Sequence, residues 1–451
     1  MTAPQLRRSL GFRDLLLFYV ATTFSLRWIA TAAAAGPSAL VIWIVAACGL
    51  FVPLVVTVIE LSSRYPEEGG IYVWSKRAFG PFAAFITGWT YWAGNLPYFP
   101  SLLYFTAGNA LFVGGPSWQA WSSNSVYFII VSMSGLAVAV VLNVVGLDIA
   151  KWLSNAGAVA GWIPASLLVV LGAISWWRFG SATPIDAQSL VPSTGLKDVI
   201  FWSTIAFAFG GVESASIMGE EIRNPRRTVP RAVIAAGVLL TALYIAGTLS
   251  VLLAIPREQI SGLQGIMQAI QVMTARVGVE ELAPAIAVLV AISGLGGVGA
   301  WFAATARLPF VAGIDRFLPA AFSRLHPRWR TPHVALLVQA GISAVFVLLG
   351  QAGTSVGGAY DVLISMSVIT YFIPFLFMFA AMIRLQRGRA VATALAAGGF
   401  LTTAVSIALA AVPPVDEPNK PLAVTKIVGL SLVLVTIGVV VYALGRRRAA
   451  R

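Results

Sequence analysis

Apolar stretches of about 20 residues recur along the whole chain, each long enough to cross a bilayer as one helix. Inside hydrocarbon a backbone must satisfy its own N–H and C=O groups, so such a chain spans only as helices or as a closed barrel. Barrel strands would show as alternating segments of about ten residues, and the sequence has none. Composition agrees: 58% of the residues are hydrophobic and 10% charged, against roughly 25% charged in soluble domains. The expected fold is an all-α integral membrane protein.

Apolar runs and their polar borders place twelve transmembrane helices at about 13–34, 39–61, 80–112, 125–145, 150–174, 199–221, 231–255, 284–313, 333–350, 358–383, 390–412 and 422–445. The Lys/Arg distribution supports this map. On the side of the N-terminus it puts 23 of the 30 basic residues, six fall on the other side, and Arg27 stays inside the first span. Cytoplasmic loops carry that excess, so both termini are expected in the cytoplasm of a multi-pass inner-membrane protein. The net charge of +13 is read as this bias, and no nucleic-acid partner is expected.

Several function classes lose their chemistry at this point. The single cysteine, Cys48, permits no intramolecular disulfide and no cysteine metal site. His326 and His333 share one loop without an acidic cluster and are read as loop residues. No HExxH and no GxxxxGK[ST] occurs, so neither an enzyme nor a cofactor or metal is expected. "LRRSLGF" followed by an apolar run imitates a signal peptide, but Arg27 interrupts the run, and the segment is read as the first membrane helix. The stretch 256–283 carries Ile, Met and Val at helical spacing and is expected to form a surface helix on the outer side. Trp118, Trp121, Trp176 and Trp177 fit an interfacial belt. Glu60 is placed at the interface near Arg64, and Asp361 is read as the cap that opens helix ten.

Two spans break the apolar rule at mid-depth. Helix six, within "FWSTIAFAFGGVESASIMGEEIRNPRRTVPRA", holds Gly210, Gly211 and Glu213; helix one holds Thr22, Thr23, Ser25 and Arg27. A carboxylate costs about 3 kcal/mol at the centre of a membrane helix on insertion scales, and such residues mark functional sites. Glycine pairs allow the backbone to leave helical geometry, which membranes tolerate only against protein or a wet cavity. Paired interruptions in two halves of a chain point to a transporter site. Half-helix N-termini can face a carboxylate and exposed carbonyls an ammonium, the two ends of an amino acid. The alternative is close glycine packing with Glu213 bonded to a neighbouring helix.

Three long motifs resemble those of the amino acid–polyamine–organocation superfamily of permeases: "ELSSRYPEEGGIYVWSKRAFGPFAAFITGW", "FAFGGVESASIMGEEIRNPRRTVPRA" and "GAWFAATARLPFVAGIDRFLPAAFSRLHPRWRTP". "GVESAS" is close to arginine/agmatine antiporters and "AIPREQISGLQGIMQAI" is similar to glutamate/GABA-type antiporters. The resemblance implies a single transporter domain with a LeuT-like five-plus-five inverted repeat (13–174 and 199–383), broken helices one and six, and two peripheral helices within 390–445. It implies that Phe207 is an aromatic gate, that Gly210 and Gly211 form the helix-six break, that Glu213 couples to protons and that Trp301 closes the site. It also implies that Gly94, Asn95 and Phe99 face the substrate side chain. The family's glycine-rich helix-one break is replaced here by Thr22, Thr23 and Phe24, and Arg27 is not part of the general pattern; it could pair with Glu213 or bind a carboxylate. Helix five lacks the lysine of some proton-coupled members.

The expected function is therefore a secondary active amino acid transporter, an antiporter or proton-coupled permease. Its expected partners are a small amino acid or amine, protons and the lipid bilayer, with a homodimer left open. The competing readings are a polyamine or amine permease and a membrane sensor or channel that has lost coupled transport. Bulky residues at the gate positions, Phe207 and Trp301, argue against a channel.

Overall fold

The computed structural model describes residues 11–65, 69–192, 196–214, 222–314, 317–386, 389–413 and 417–449. Among them no strand occurs. Nine helices among the described residues are long and apolar enough to cross a membrane: Ser38–Arg64, Ser125–Val145, Asn155–Phe179, Arg226–Ala254, Leu282–Pro309, His333–Gln351, Val356–Leu385, Ala390–Ala410 and Lys420–Arg447. Their ends follow local chemistry. The Asn124 side chain accepts from the N–H groups of Val126 and Tyr127 and so starts Ser125–Val145. Ser355 does the same for Val356–Leu385, accepting from Gly358 N–H at 3.0 Å. Asp361, expected as that cap, lies one turn inside the helix, because the serine is already in place to take the free N–H.

The three other expected spans are interrupted, one of them only by a turn at Gly94 whose φ of -64° and ψ of -22° stay helical. Residues 13–34 form Phe12–Thr23 and Leu26–Ala34, parted by Phe24 and Ser25 in extended conformation. Residues 80–112 form Pro81–Ala93 and Asn95–Ala110, joined at Gly94. The span 199–221 starts as Leu196–Phe207 and leaves helical geometry at Ala208. Its expected end, 215–221, lies outside the described residues, as do Arg7 and Arg8. None of these pieces reaches the 17 or so residues that a straight crossing needs, which is why nine rather than twelve helices qualify.

Glycine sets two of the closest approaches in the bundle. A Cβ on Gly94 would lie 2.8 Å from the Tyr371 backbone nitrogen, so only glycine lets Val356–Leu385 come this near. A Cβ on Gly157 would lie 2.6 Å from the Gly296 Cα, and the reverse holds for Gly296. Helices Leu147–Phe179 and Leu282–Ile314 therefore touch backbone to backbone, as small residues allow between membrane helices.

Depth of burial orders the helices. The apolar window of Val356–Leu385 is 78% buried and that of Lys420–Arg447 only 22%, so the former is central and the latter peripheral. Lys426 ties the peripheral helix in, donating from Nζ to the carbonyls of Gly350 (2.9 Å) and Ala352 (2.5 Å). The expected surface helix is present as Gly265–Val277, with Ile266, Met267, Ile270 and Met273 buried. Trp118, Trp121, Trp176 and Trp177 are all exposed. Glu60 pairs with Arg389, a partner on a distant segment that no local pattern announces.

Candidate functional site

The two breaks meet. Gly211 has φ 112°, a conformation that a side chain strongly disfavours, and a Cβ there would lie 2.9 Å from the Thr22 carbonyl oxygen. Backbone groups released at the breaks find a shared partner in Tyr244, buried on the helix Pro225–Ala254. Its hydroxyl donates to the Thr23 carbonyl at 2.8 Å and accepts from the Ser25 N–H at 3.3 Å, with the Ala208 carbonyl 3.5 Å away. One hydroxyl thus satisfies a carbonyl and an N–H of the first break and lies beside the second, the kind of buried satisfaction that irregular membrane backbone requires.

A narrow cavity, about 330 Å3 of empty space counting its opening, lies beside them. Thr22, Thr23 and Trp28 line it from the first broken span, Phe207 and Gly210 from the second. Asn95 and Tyr98, Trp301 and Tyr371 complete the wall from three further helices. The aromatic side chains lean on one another: Trp28 meets Phe207 edge-on at 5.5 Å, Phe207 meets Tyr371 at 5.4 Å, and Tyr98 meets Trp301 at 6.5 Å. Polar capacity remains inside. Thr23 Oγ1 is buried without a hydrogen-bond partner, whereas Thr22 Oγ1 is spent on the Phe18 carbonyl at 2.9 Å.

Arg27 adjoins this wall and is fully buried. Its guanidinium carbon lies 4.0 Å from the Trp28 ring and 4.1 Å from the Tyr98 ring, within cation–π range. Nη1 donates to Ser101 Oγ at 2.8 Å; Nε and Nη2 are buried with no hydrogen-bond partner. The pairing with Glu213 raised from the sequence does not form.

Glu213 is also fully buried but is held by other groups. Its Oε1 accepts from the hydroxyls of Tyr371 (2.5 Å) and Tyr91 (3.0 Å), and its Oε2 from the Gly211 N–H (3.0 Å). The two phenol oxygens are 3.2 Å apart. Tyr371 therefore has one side on the carboxylate and another on the cavity. A proton added at either oxygen would change the hydrogen bond that Tyr371, a side chain of the cavity wall, makes with the carboxyl group.

Of the residues singled out in the sequence, Thr22, Thr23, Asn95, Phe207, Gly210 and Trp301 line the cavity. The others sit behind or beside it. Phe24 lies at the break itself and stacks on Trp162 (5.4 Å) and Tyr244 (5.9 Å). Gly94 packs on the Tyr371 backbone. Phe99 is fully buried against Phe302, with ring centroids 5.0 Å apart. Gly211 shapes the break, and Arg27 and Glu213 stand in the surrounding layer. Sequence reasoning missed Trp28, Tyr98, Tyr371, Tyr91 and Tyr244. His326 stacks on Trp329 and its Nδ1 accepts from nearby N–H groups, as loop residues do. Among the described residues no metal-ligating cluster occurs.

Comparison with known proteins follows the same direction. A family model described as amino acid permease matches residues 10–442. An uncharacterized transporter of Legionella pneumophila is 30% identical over 388 residues, covering 84% of this chain and 82% of the relative. An uncharacterized transporter of Mycobacterium tuberculosis is 25% identical, covering 78% and 76%. A probable agmatine/putrescine antiporter of Lactococcus lactis is 25% identical, covering 74% and 70%.

Proposed function

We propose, since this chain belongs to the amino acid permease family, that it is a secondary active transporter carrying a small amino acid across the inner membrane by alternating access. Transport runs as exchange or with proton coupling, and the chain performs no catalysis. The observation that carries this reading is the meeting of two breaks, one between Phe12–Thr23 and Leu26–Ala34 and one after Leu196–Phe207, beside a narrow open cavity, with the Gly211 turn seated on the Thr22 carbonyl. Continuous rods at 13–34 and 199–221 would have no use for that geometry.

Nine unbroken spans among the described residues, together with the broken first span, the span that turns at Gly94 and the span that leaves helix at Ala208, add up to the twelve that a five-plus-five repeat with two added helices calls for. The charge bias of the loops supports a cytoplasmic position for both termini. The cavity offers an amino acid what it needs: backbone groups at the breaks, the Thr23 hydroxyl, and an aromatic enclosure.

The polyamine reading has one observation in its favour, the relative named as a probable agmatine/putrescine antiporter. Arg27 opposes it, because a buried guanidinium beside the cavity repels a dication. The test is counterflow in proteoliposomes loaded with one amino acid at a time. Labelled substrate accumulates for at least one of them if the chain is a carrier; no counterflow of any amino acid or amine overturns the reading.

A further inference from the structure

Arg27 makes no ion pair among the described residues and spends one of its three nitrogens on Ser101. The two nitrogens left over, Nε and Nη2, are not a random pair. They share one edge of the guanidinium plane, and their N–H bonds run parallel, the fork that matches both oxygens of a carboxylate. A buried cation with a whole fork unpaired is strongly unfavourable unless a counter-ion arrives. The side chain is held ready for one: Ser101 fixes the opposite edge, and the rings of Trp28 and Tyr98 lie against the plane. Both of those rings line the cavity, and Arg27 lies against them without lining it itself.

We propose that Arg27 is a carboxylate receptor and that the substrate is an acidic amino acid whose side-chain carboxylate pairs with the Nε/Nη2 edge. This rests on the reading of the cavity as a substrate site. The site has two places for anionic oxygen. One is the N-terminal end of Leu26–Ala34, beside Thr23 and Trp28 of the cavity wall, where the N–H groups of Leu26 and Arg27 have no acceptor within the helix and only the Trp28 N–H is spent, on the Ser25 carbonyl at 3.2 Å. The other is the fork of Arg27. A neutral amino acid has one carboxylate and fills only one of them; a diamine fills neither. An acidic amino acid has two and fills both.

The experiment uses the purified chain in lipid nanodiscs and titration calorimetry with L-glutamate, L-aspartate, their amides L-glutamine and L-asparagine, and putrescine. The expected result is that one acid binds at least tenfold more tightly than its amide and that putrescine does not bind. Arg27→Gln then removes the preference for the acid, and Arg27→Lys, which keeps the charge but loses the fork, retains part of it. The proposal is overturned if amide and acid bind alike, if putrescine is preferred, if no acid binds the folded protein, or if Arg27→Gln keeps the discrimination. Equal weakening of acid and amide in Arg27→Gln assigns the fork to the α-carboxylate and also overturns it. Should the Arg27 variants fail to elute as folded protein, the acid–amide comparison on the unaltered chain decides alone. Counterflow separates this question from the transporter reading. An acid that binds through Arg27 but is never carried defeats transport and leaves the receptor. Carriage of neutral or cationic substrates without acids does the reverse.

Discussion

The hydroxyl of Tyr244 donates to the carbonyl oxygen of Thr23 at 2.8 Å. The two residues belong to helices far apart in sequence, and the bond lands on the last residue before the first break. With the Ser25 N–H donating to the Tyr244 hydroxyl oxygen at 3.3 Å, the phenol replaces the helical partners that the break removes. Tyr244→Phe keeps the ring stacked on Trp43 at 4.5 Å and deletes only the hydroxyl. Leaving buried backbone groups unpaired costs about 1–3 kcal/mol. A clear drop in melting temperature is expected; an unchanged melting temperature means the breaks do not depend on this bond.

Gly211 and its neighbour Gly210 are expected to respond differently to alanine. At Gly211 the φ of 112° and the approach to the Thr22 carbonyl both resist a side chain, and the cost is about 1–3 kcal/mol. At Gly210 the nearest atoms to a Cβ are 3.1 and 3.2 Å away, a milder conflict. Thermal unfolding of Gly211→Ala and Gly210→Ala side by side checks the order, and equal melting points count against it.

Glu213→Gln keeps the shape of the side chain and one acceptor oxygen for Tyr371 and Tyr91, but removes the titratable proton. If Glu213 carries the coupling proton, uptake by the variant loses its dependence on pH while the parent protein keeps it. The readout is initial uptake rate in proteoliposomes between pH 5 and pH 8, a window chosen as about the physiological range. A variant whose profile tracks the parent protein removes Glu213 from the coupling mechanism.

Gly157→Leu tests the backbone contact between Leu147–Phe179 and Leu282–Ile314. Four extra carbons have to enter a gap in which a single Cβ already lies 2.6 Å from Gly296 Cα. Overpacking of this kind costs about 1–3 kcal/mol or more. Lower yield of monodisperse protein and a lower melting temperature are expected, and a fully stable variant would mean that these helices can part at little cost.

Much of the architecture was legible because bilayers demand long apolar runs. The span expected at 125–145 is Ser125–Val145, and that expected at 333–350 is His333–Gln351. Polar atoms at mid-depth also announced the breaks: the substitution zone Thr22–Phe24 ends one residue short of the extended Ser25, and Gly210-Gly211 marks the turn. The aromatic wall was hidden for the opposite reason. In a chain with 14 tryptophans and 11 tyrosines, Trp28, Tyr98 and Tyr371 look like any other membrane aromatics until the helices are assembled. Tyr91 and Tyr371 reach Glu213 across 122 and 158 residues of sequence, a separation over which no local spacing speaks. Gly94 is ambiguous in the sequence for a like reason, since the lack of a side chain reads equally as space for a ligand or as contact with another backbone.

That contact has a mechanical consequence. With the Tyr371 main chain pressed onto Gly94, the helices Pro81–Ala93, Asn95–Ala110 and Val356–Leu385 cannot slide past one another without a steric collision. Asn95, Tyr98 and Tyr371 thus sit on helices locked by that contact. On the opposite bank Phe24 and Ser25 lie outside regular helix and are anchored to the single phenol of Tyr244, so that bank has the looser hold on the chamber.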